Sequence, residues 1–147
     1  MPFPATINDV PVRVLIGSAY GLTSPVKTFA ETLYIEANLK KGQSLELPDG
    51  VQERGLYVVS GKLRTKDSSL EQHSMTIFHP GQAITVAAEE NTRLAVIGGE
   101  TLSRRHIWWN FVSSRRERIE QAKSDWAGGA FPRVPGDEIG FIPLPDR

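Results

Sequence analysis

Apolar and polar residues alternate in short runs along most of this chain. Val12, Val14 and Ile16 open the pattern before "GSAYGLTSP" breaks it. Leu33, Ile35, Ala37 and Leu39 then share one face of a strand, with Tyr34, Glu36 and Asn38 on the other. Leu45 and Leu47 continue the alternation until "PDG" turns the chain, and "GLYVVSGKL" is a β-branched and aromatic run with a glycine break. Met75 with Ile77, Ile84 with Val86, and Leu94 with Val96 mark three further strands, separated by the turn signals "KDSS", "HPGQ" and "EENT". Short strands spaced roughly every 8–12 residues predict a sandwich or barrel rather than strands alternating with helices.

The pattern changes after Val112. "SSRRERIEQAKSDWAGG" offers Ser114 as a helix N-cap, with Glu117 three residues on to complete a capping box. Ile119, Ala122 and Trp126 recur at helical spacing, and Gly128 or Gly129 can supply a left-handed C-terminal residue. The remaining "AFPRVPGDEIGFIPLPDR" holds four prolines and reads as an extended tail, with Phe131, Val134, Phe141, Ile142 and Leu144 expected to pack on the body. Pro2 and Pro4 disfavour a helix at the start, so residues 1–10 read as a lead-in. The expected organisation is a barrel over 11–112 and a helix with its tail over 113–147.

Composition narrows the function more than the fold. The chain has 147 residues, 39% of them apolar, enough for one domain with a substantial core. Seventeen basic and seventeen acidic residues cancel, so no net field draws it to nucleic acid or to anionic lipid. With no cysteine there is no disulfide, thiolate metal site or cysteine nucleophile, which fits a reducing cytosol. No apolar run approaches the ~20 residues that span a bilayer. Residues 1–10 carry no basic end followed by an apolar core, so a secretory signal is not expected and a cytoplasmic location is.

One stretch carries candidate chemistry. Barrels of the cupin superfamily bear a first motif G-x5-H-x-H-x3-E-x6-G, and "GQSLELPDGVQERGLYVVSG" reproduces its frame from Gly42 to Gly61 without an insertion. The two histidine positions fall on Pro48 and Gly50 and the glutamate position on Arg54. A second cupin motif, started at Gly81, puts its histidine on Thr92 by spacing alone. A mononuclear site needs three or four N/O donors at about 2.0–2.2 Å. Pro48 and Gly50 offer none, Thr92 is a weak ligand and Arg54 is a permanent cation. His73 and His79 stand six residues apart on an extended run, too far apart to chelate together, and His106 is alone.

The segments "VRVLIGSAYGLTSPVKTFAETLYIEANL" and "RRHIWWNFVSSRRERIEQAKSDWAGGAFPRVPGDEIGFIPLP" resemble the C-terminal half of bacterial pirin-like proteins, from about Val12 to Pro145. The resemblance implies an all-β cupin, a double-stranded β-helix or jelly-roll barrel, with one C-terminal α-helix and a proline-rich tail. Pirins are two-cupin chains whose N-terminal cupin binds iron or another divalent metal through three His and one Glu. Some members show quercetin dioxygenase activity, and others are described as transcriptional co-regulators. Their C-terminal cupin generally has no metal, so the resemblance implies that the emptied motif is real and carries no metal ligand over.

Non-catalytic structural or interaction work is therefore the expectation, with no cofactor in this segment. Its partner would be a second copy or an N-terminal pirin cupin, with neither a membrane nor nucleic acid. Arg54 with Tyr57 is the candidate ligand-binding pair, either capturing a small anion where the metal would sit or, as the blander reading has it, reaching solvent or pairing with Glu36 or Glu46. In "RRHIWWNFV", Ile107, Trp109 and Phe111 are expected in the core, leaving His106, Trp108 and Asn110 on a face for the tail or a partner. The arginines around the helix read as a solvated face with pairs such as Arg116–Glu120.

Overall fold

A computed structural model describes residues 5–145; Met1–Pro4, the start of the expected lead-in, lie outside the described residues. The chain divides after Thr101 into two compact units. The first opens with β1 (Ala5–Ile7) and β2 (Val10–Ile16), joined through Asn8 and Asp9 at positive φ. The strand Ala5–Ile7 falls within the stretch that the sequence reads as lead-in. A small ribbon follows, β3 (Ser18–Ala19) and β4 (Leu22–Thr23), turned by Tyr20 and Gly21. Both turn residues have positive φ, which matches the twist of a two-residue hairpin. Then come β5 (Thr32–Leu39), β6 (Ser44–Glu46), β7 (Glu53–Ser60), β8 (Leu63–Arg64), β9 (Ser69–Leu70), β10 (Met75–Phe78), β11 (Thr85–Ala88) and β12 (Thr92–Gly99).

These strands form a six-stranded antiparallel sheet in the order β1-β2-β5-β12-β7-β10, and a four-stranded one in the order β6-β11-β8-β9. The core lies between them. Leu33, Ile35, Ala37 and Leu39 on β5 are each at most 2% exposed, as their alternation predicts. Leu56 and Val58 on β7, Leu94 and Val96 on β12, and Leu45, Leu63 and Val86 from the smaller sheet complete it. Each fully buried Leu, Ile or Val contributes roughly 1.5–3 kcal/mol, so this one cluster is the main source of cohesion. Met75 and Ile77 mark a strand as expected, and it presents them outward. They lie on β10, where Phe78 points inward while Met75 is 45% and Ile77 70% exposed.

The second unit holds a hairpin, β13 (His106–Trp108) and β14 (Phe111–Ser113), and helix α1 (Arg116–Ala127). The hairpin groups with the helix in this unit. Ser114 is not the N-cap. Arg115 occupies that position with extended backbone and no side-chain cap, and Ser113 Oγ accepts from the Arg115 N–H instead. The C-terminus matches its signal. Gly129 at φ 69° lets Ala130 N–H reach Asp125 O (2.8 Å) and Gly129 N–H reach Trp126 O (3.2 Å), a Schellman closure. Glu120 pairs with Lys123 at 3.0 Å, not with Arg116.

Candidate functional site

The glycines that frame the emptied motif are conformationally required. Gly42 (φ 85°) and Gly61 (φ 81°) both sit in the left-handed region, and a Cβ on Gly61 would collide with the Asn91 carbonyl. Between them β7 sends Arg54, Leu56 and Val58 inward and Glu53 and Tyr57 outward, with Gly55 covered on the outer face. Arg54 and Tyr57 therefore lie on opposite faces of one strand and form no joint site.

Arg54 is the largest fully buried side chain of the first unit, at 1% exposure. It reaches neither solvent nor a carboxylate. Glu36 belongs to the outer face, where it holds Arg13 (3.8 Å) and Arg93 (2.5 Å), and Glu46 is exposed on β6. The guanidinium is held by backbone instead. Nη1 donates to Pro48 O at 2.8 Å and Nη2 donates to Gln82 O, while the buried Nε has no partner. Across the sheet Arg54 stands opposite Gly98 on β12 and Phe78 on β10. A permanent cation thus ties the loop after β6 to the loop after β10. Two carbonyl dipoles satisfy its hydrogen bonding in part without neutralising its charge.

The other degenerate positions do not converge on it. Pro48 contributes only its carbonyl, and Gly50 contributes no side chain. Thr92 opens β12 six residues before Gly98, so it stands roughly 20 Å from Arg54's register along an extended strand. Its hydroxyl is engaged with Lys62 N (3.0 Å), Lys62 O (3.1 Å) and Glu90 O (3.0 Å). Among the described residues no group of three His, Asp or Glu side chains is placed to hold a metal ion. His73 and His79 flank β10 at its two ends, consistent with their wide separation. The donor set at the emptied motif therefore does not fit the metal that the cupin frame implies. Outside the mouth, Pro48, Gly50 and Val51 join Gly17, Ser18 and Thr32 around a shallow cavity of about 240 Å³, whose wall does not include Arg54.

Three side chains in the first unit have shifted titration. Burial, then the nearby Glu46 charge, pushes the Tyr20 phenol well above its usual range, and its hydroxyl donates to Glu46 O at 2.6 Å. Lys62 and Glu71 pair at 2.8 Å, and the hydrogen bond between them holds the Lys62 ammonium up and the Glu71 carboxyl down.

In the second unit the expected faces of "RRHIWWNFV" are rearranged. The strand breaks at a two-residue turn, Trp109–Asn110, with Trp109 at φ 51°. Ile107 and its partner Val112 consequently face outward, at 72% and 60% exposure, instead of entering the core. Trp108 stacks on Phe111 (6.2 Å between centroids) and lies under Lys123 Nζ (4.6 Å). His106 is half-buried at the start of β13 and Asn110 is exposed in the turn, so the three candidate interface residues do not share one strand face. Trp126 meets Trp109 edge-on at 5.1 Å and donates from Nε1 to Ile142 O at 2.8 Å, which pins the tail to the helix. Phe131 and Phe141 join the same aromatic cluster, while Val134 and Ile142 remain 65% exposed.

One apolar surface is not marked by the sequence pattern. Tyr34, Tyr57, Met75, Ile77 and Ile97 all emerge on the outer face of the six-stranded sheet. The parity of β12, with Leu94 and Val96 inward, was the available signal for Ile97.

Comparison with known proteins follows the same lines. The family described as "Pirin C-terminal cupin domain" matches residues 34–132. A pirin-like protein of Caulobacter vibrioides is 36% identical over 91% of this chain and 46% of its own length. A putative quercetin 2,3-dioxygenase of Pseudomonas aeruginosa is 28% identical over 84% of this chain and 44% of its own. A crystal structure of a quercetin 2,3-dioxygenase from Acinetobacter baumannii superposes with a TM-score of 0.82 at 21% identity, covering 100% of this chain and 52% of that one. The chain spans about half the length of the curated relatives it matches.

Proposed function

The chain belongs to the pirin family, as its C-terminal cupin domain, and from that premise we propose that it is a metal-free cupin whose work is structural and associative rather than catalytic. One observation carries the reading. Arg54, the residue at the glutamate position of the cupin frame, is a buried guanidinium committed to the carbonyls of Pro48 and Gln82. A divalent cation brought to this mouth meets like charge and no anionic or imidazole donor. Flavonol oxidation, suggested by the names of the dioxygenase relatives, is assigned to longer pirin proteins carrying an N-terminal cupin. The partner of this domain is accordingly a second copy or such an N-terminal cupin.

Elemental analysis after mild purification tests the reading together with a quercetin assay. The expected result is transition metal well below one equivalent and no oxidation of quercetin by this chain, even with added iron. Near-stoichiometric metal, or metal-dependent turnover, overturns it.

The orphan Nε and the lack of a carboxylate partner favour a second reading, capture of a small anion at Arg54. A ligand that binds only the native state raises its melting temperature by mass action. Millimolar carboxylate or phosphate is then expected to raise the wild-type Tm and not that of Arg54→Met. An absence of any shift refutes the anion.

A further inference from the structure

An antiparallel sheet with one face in solvent ordinarily turns polar residues outward. The six-stranded sheet does the opposite along one line. Strand register places Ile16, Tyr34, Ile97, Gly55 and Ile77 side by side across five neighbouring strands, β2, β5, β12, β7 and β10. The next outward row carries Ala95, Tyr57 and Met75, again as cross-strand neighbours. Gly55 is flanked by the side chains of its neighbours, since a Cβ there would lie 2.9 Å from Ile77 Cδ1 and 3.0 Å from Met75 Cε. Those two side chains fill the dip in the middle of the row and level the surface. Ile77 is 70%, Ile97 46% and Met75 45% exposed, so this is a continuous apolar band and not scattered single residues.

The two ends of the face differ in charge. Beyond the band at one end stand Glu31, Glu53 and Glu100, with Glu100 Oε1 accepting from the Glu31 N–H. Toward the other end, Arg13 and Arg93 share the single carboxylate of Glu36, leaving a positive surplus. A two-fold axis lying in the interface and perpendicular to the strands inverts the strand direction from one copy to the next. It lays band on band and sets the acidic end of each copy against the basic end of the other. An apolar centre, a charged rim and self-complementary charge are what an isologous interface needs.

We propose that a second copy of this chain docks on the outer face of the six-stranded sheet, through the Ile97–Ile77 band and with Glu53 of each copy facing Arg93 of the other. This rests on the associative role proposed above and names its surface. Sedimentation velocity of the full chain up to ~100 μM, where even a weak protein interface associates, is the test. The expected result is a dimer. Ile77→Glu enters the interface twice, so at about tenfold per copy the association weakens about a hundredfold. Ile77 is an exposed edge-strand residue, and a wild-type far-UV circular dichroism spectrum with a cooperative melt confirms that the variant folds. Glu53→Lys alone is also expected to weaken the dimer by juxtaposing like charges, and adding Arg93→Glu in the same chain to restore it. A monomer throughout the range, a dimer indifferent to Ile77→Glu, or a double variant no tighter than the single one overturns the proposal. Metal content and quercetin turnover are measured separately, so a metal-free, inactive monomer removes the docking face while leaving the non-catalytic reading in place.

Discussion

Replacing Arg54 by methionine keeps most of the aliphatic stem and removes the guanidinium, so it isolates what the buried charge does. The change deletes the hydrogen bonds to Pro48 O and Gln82 O. Charged hydrogen bonds are worth about 1.5–3 kcal/mol each, giving a gross loss of about 3–6 kcal/mol. Against this stands relief of the orphan Nε, about 1–3 kcal/mol, and of the desolvation of an uncompensated cation. Water can also reach carbonyls freed at a barrel mouth. The balance is a net destabilisation of about 2 kcal/mol, or roughly 8–16 °C in Tm for a unit of this size. Urea and thermal unfolding followed by far-UV circular dichroism read the barrel strands. Tryptophan fluorescence reads the second unit, because Trp108, Trp109 and Trp126 all lie there. The expected outcome is a lowered midpoint by circular dichroism, with Arg54→Lys intermediate because an ammonium lacks the planar fork. A variant as stable as the wild type, or more stable, refutes the idea that the guanidinium ties the mouth loops together.

The folded state keeps the Tyr20 phenol protonated above its ordinary value of 10.0, so its contribution is fully present below pH 10 and is lost as pH rises above that. Wild-type stability should therefore fall more steeply above pH 10 than that of Tyr20→Phe, measured as urea midpoints. Glu71 has the opposite sign. Its carboxyl is held below the ordinary 4.5 by Lys62, then by Ser69, so its contribution is present above that pH and lost as pH falls. Glu71→Gln should flatten the acid limb of the wild-type curve. In the hairpin, Ile107→Ser should cost less than about 0.5 kcal/mol because the side chain is exposed, whereas Phe111→Ala should cost about 2 kcal/mol or more by opening the aromatic stack; tryptophan-monitored unfolding compares them.

Much of the barrel is legible in the sequence because β5, β7 and β12 bury one face against a single core, and alternation, strictest along β5, records that. Outward-facing apolar residues leave no such record. Met75 and Ile77 satisfy the same period-two rule as core residues, and nothing in the period says which face is inside. The Trp109–Asn110 turn escapes notice because it contains neither glycine nor proline, so one continuous strand is read across a hairpin and Ile107 is assigned to the core. Arg54 is correctly placed inside by the motif frame, yet its partners are main-chain carbonyls, which every residue type carries and no sequence pattern marks. Thr92 shows the converse. Spacing alone aligned it with a ligand position that the register of β12 sets at the wrong end of the strand.

The way Arg54 is held also constrains how this barrel can change by mutation. A single substitution of Arg54 by a metal-ligating residue strips the mouth loops of their shared donor while Pro48 and Gly50 still supply no ligand. Such an intermediate loses stability and gains no binding. Installing histidines first at positions 48 and 50 sets imidazoles beside a fixed cation, which disfavours both their protonation and any metal between them. Each single step is thus unfavourable and only a combined change could be selected. Arg54 also fixes the path of the mouth loops, because the carbonyls of Pro48 and Gln82 must stay within reach of its guanidinium whatever side chains those positions carry.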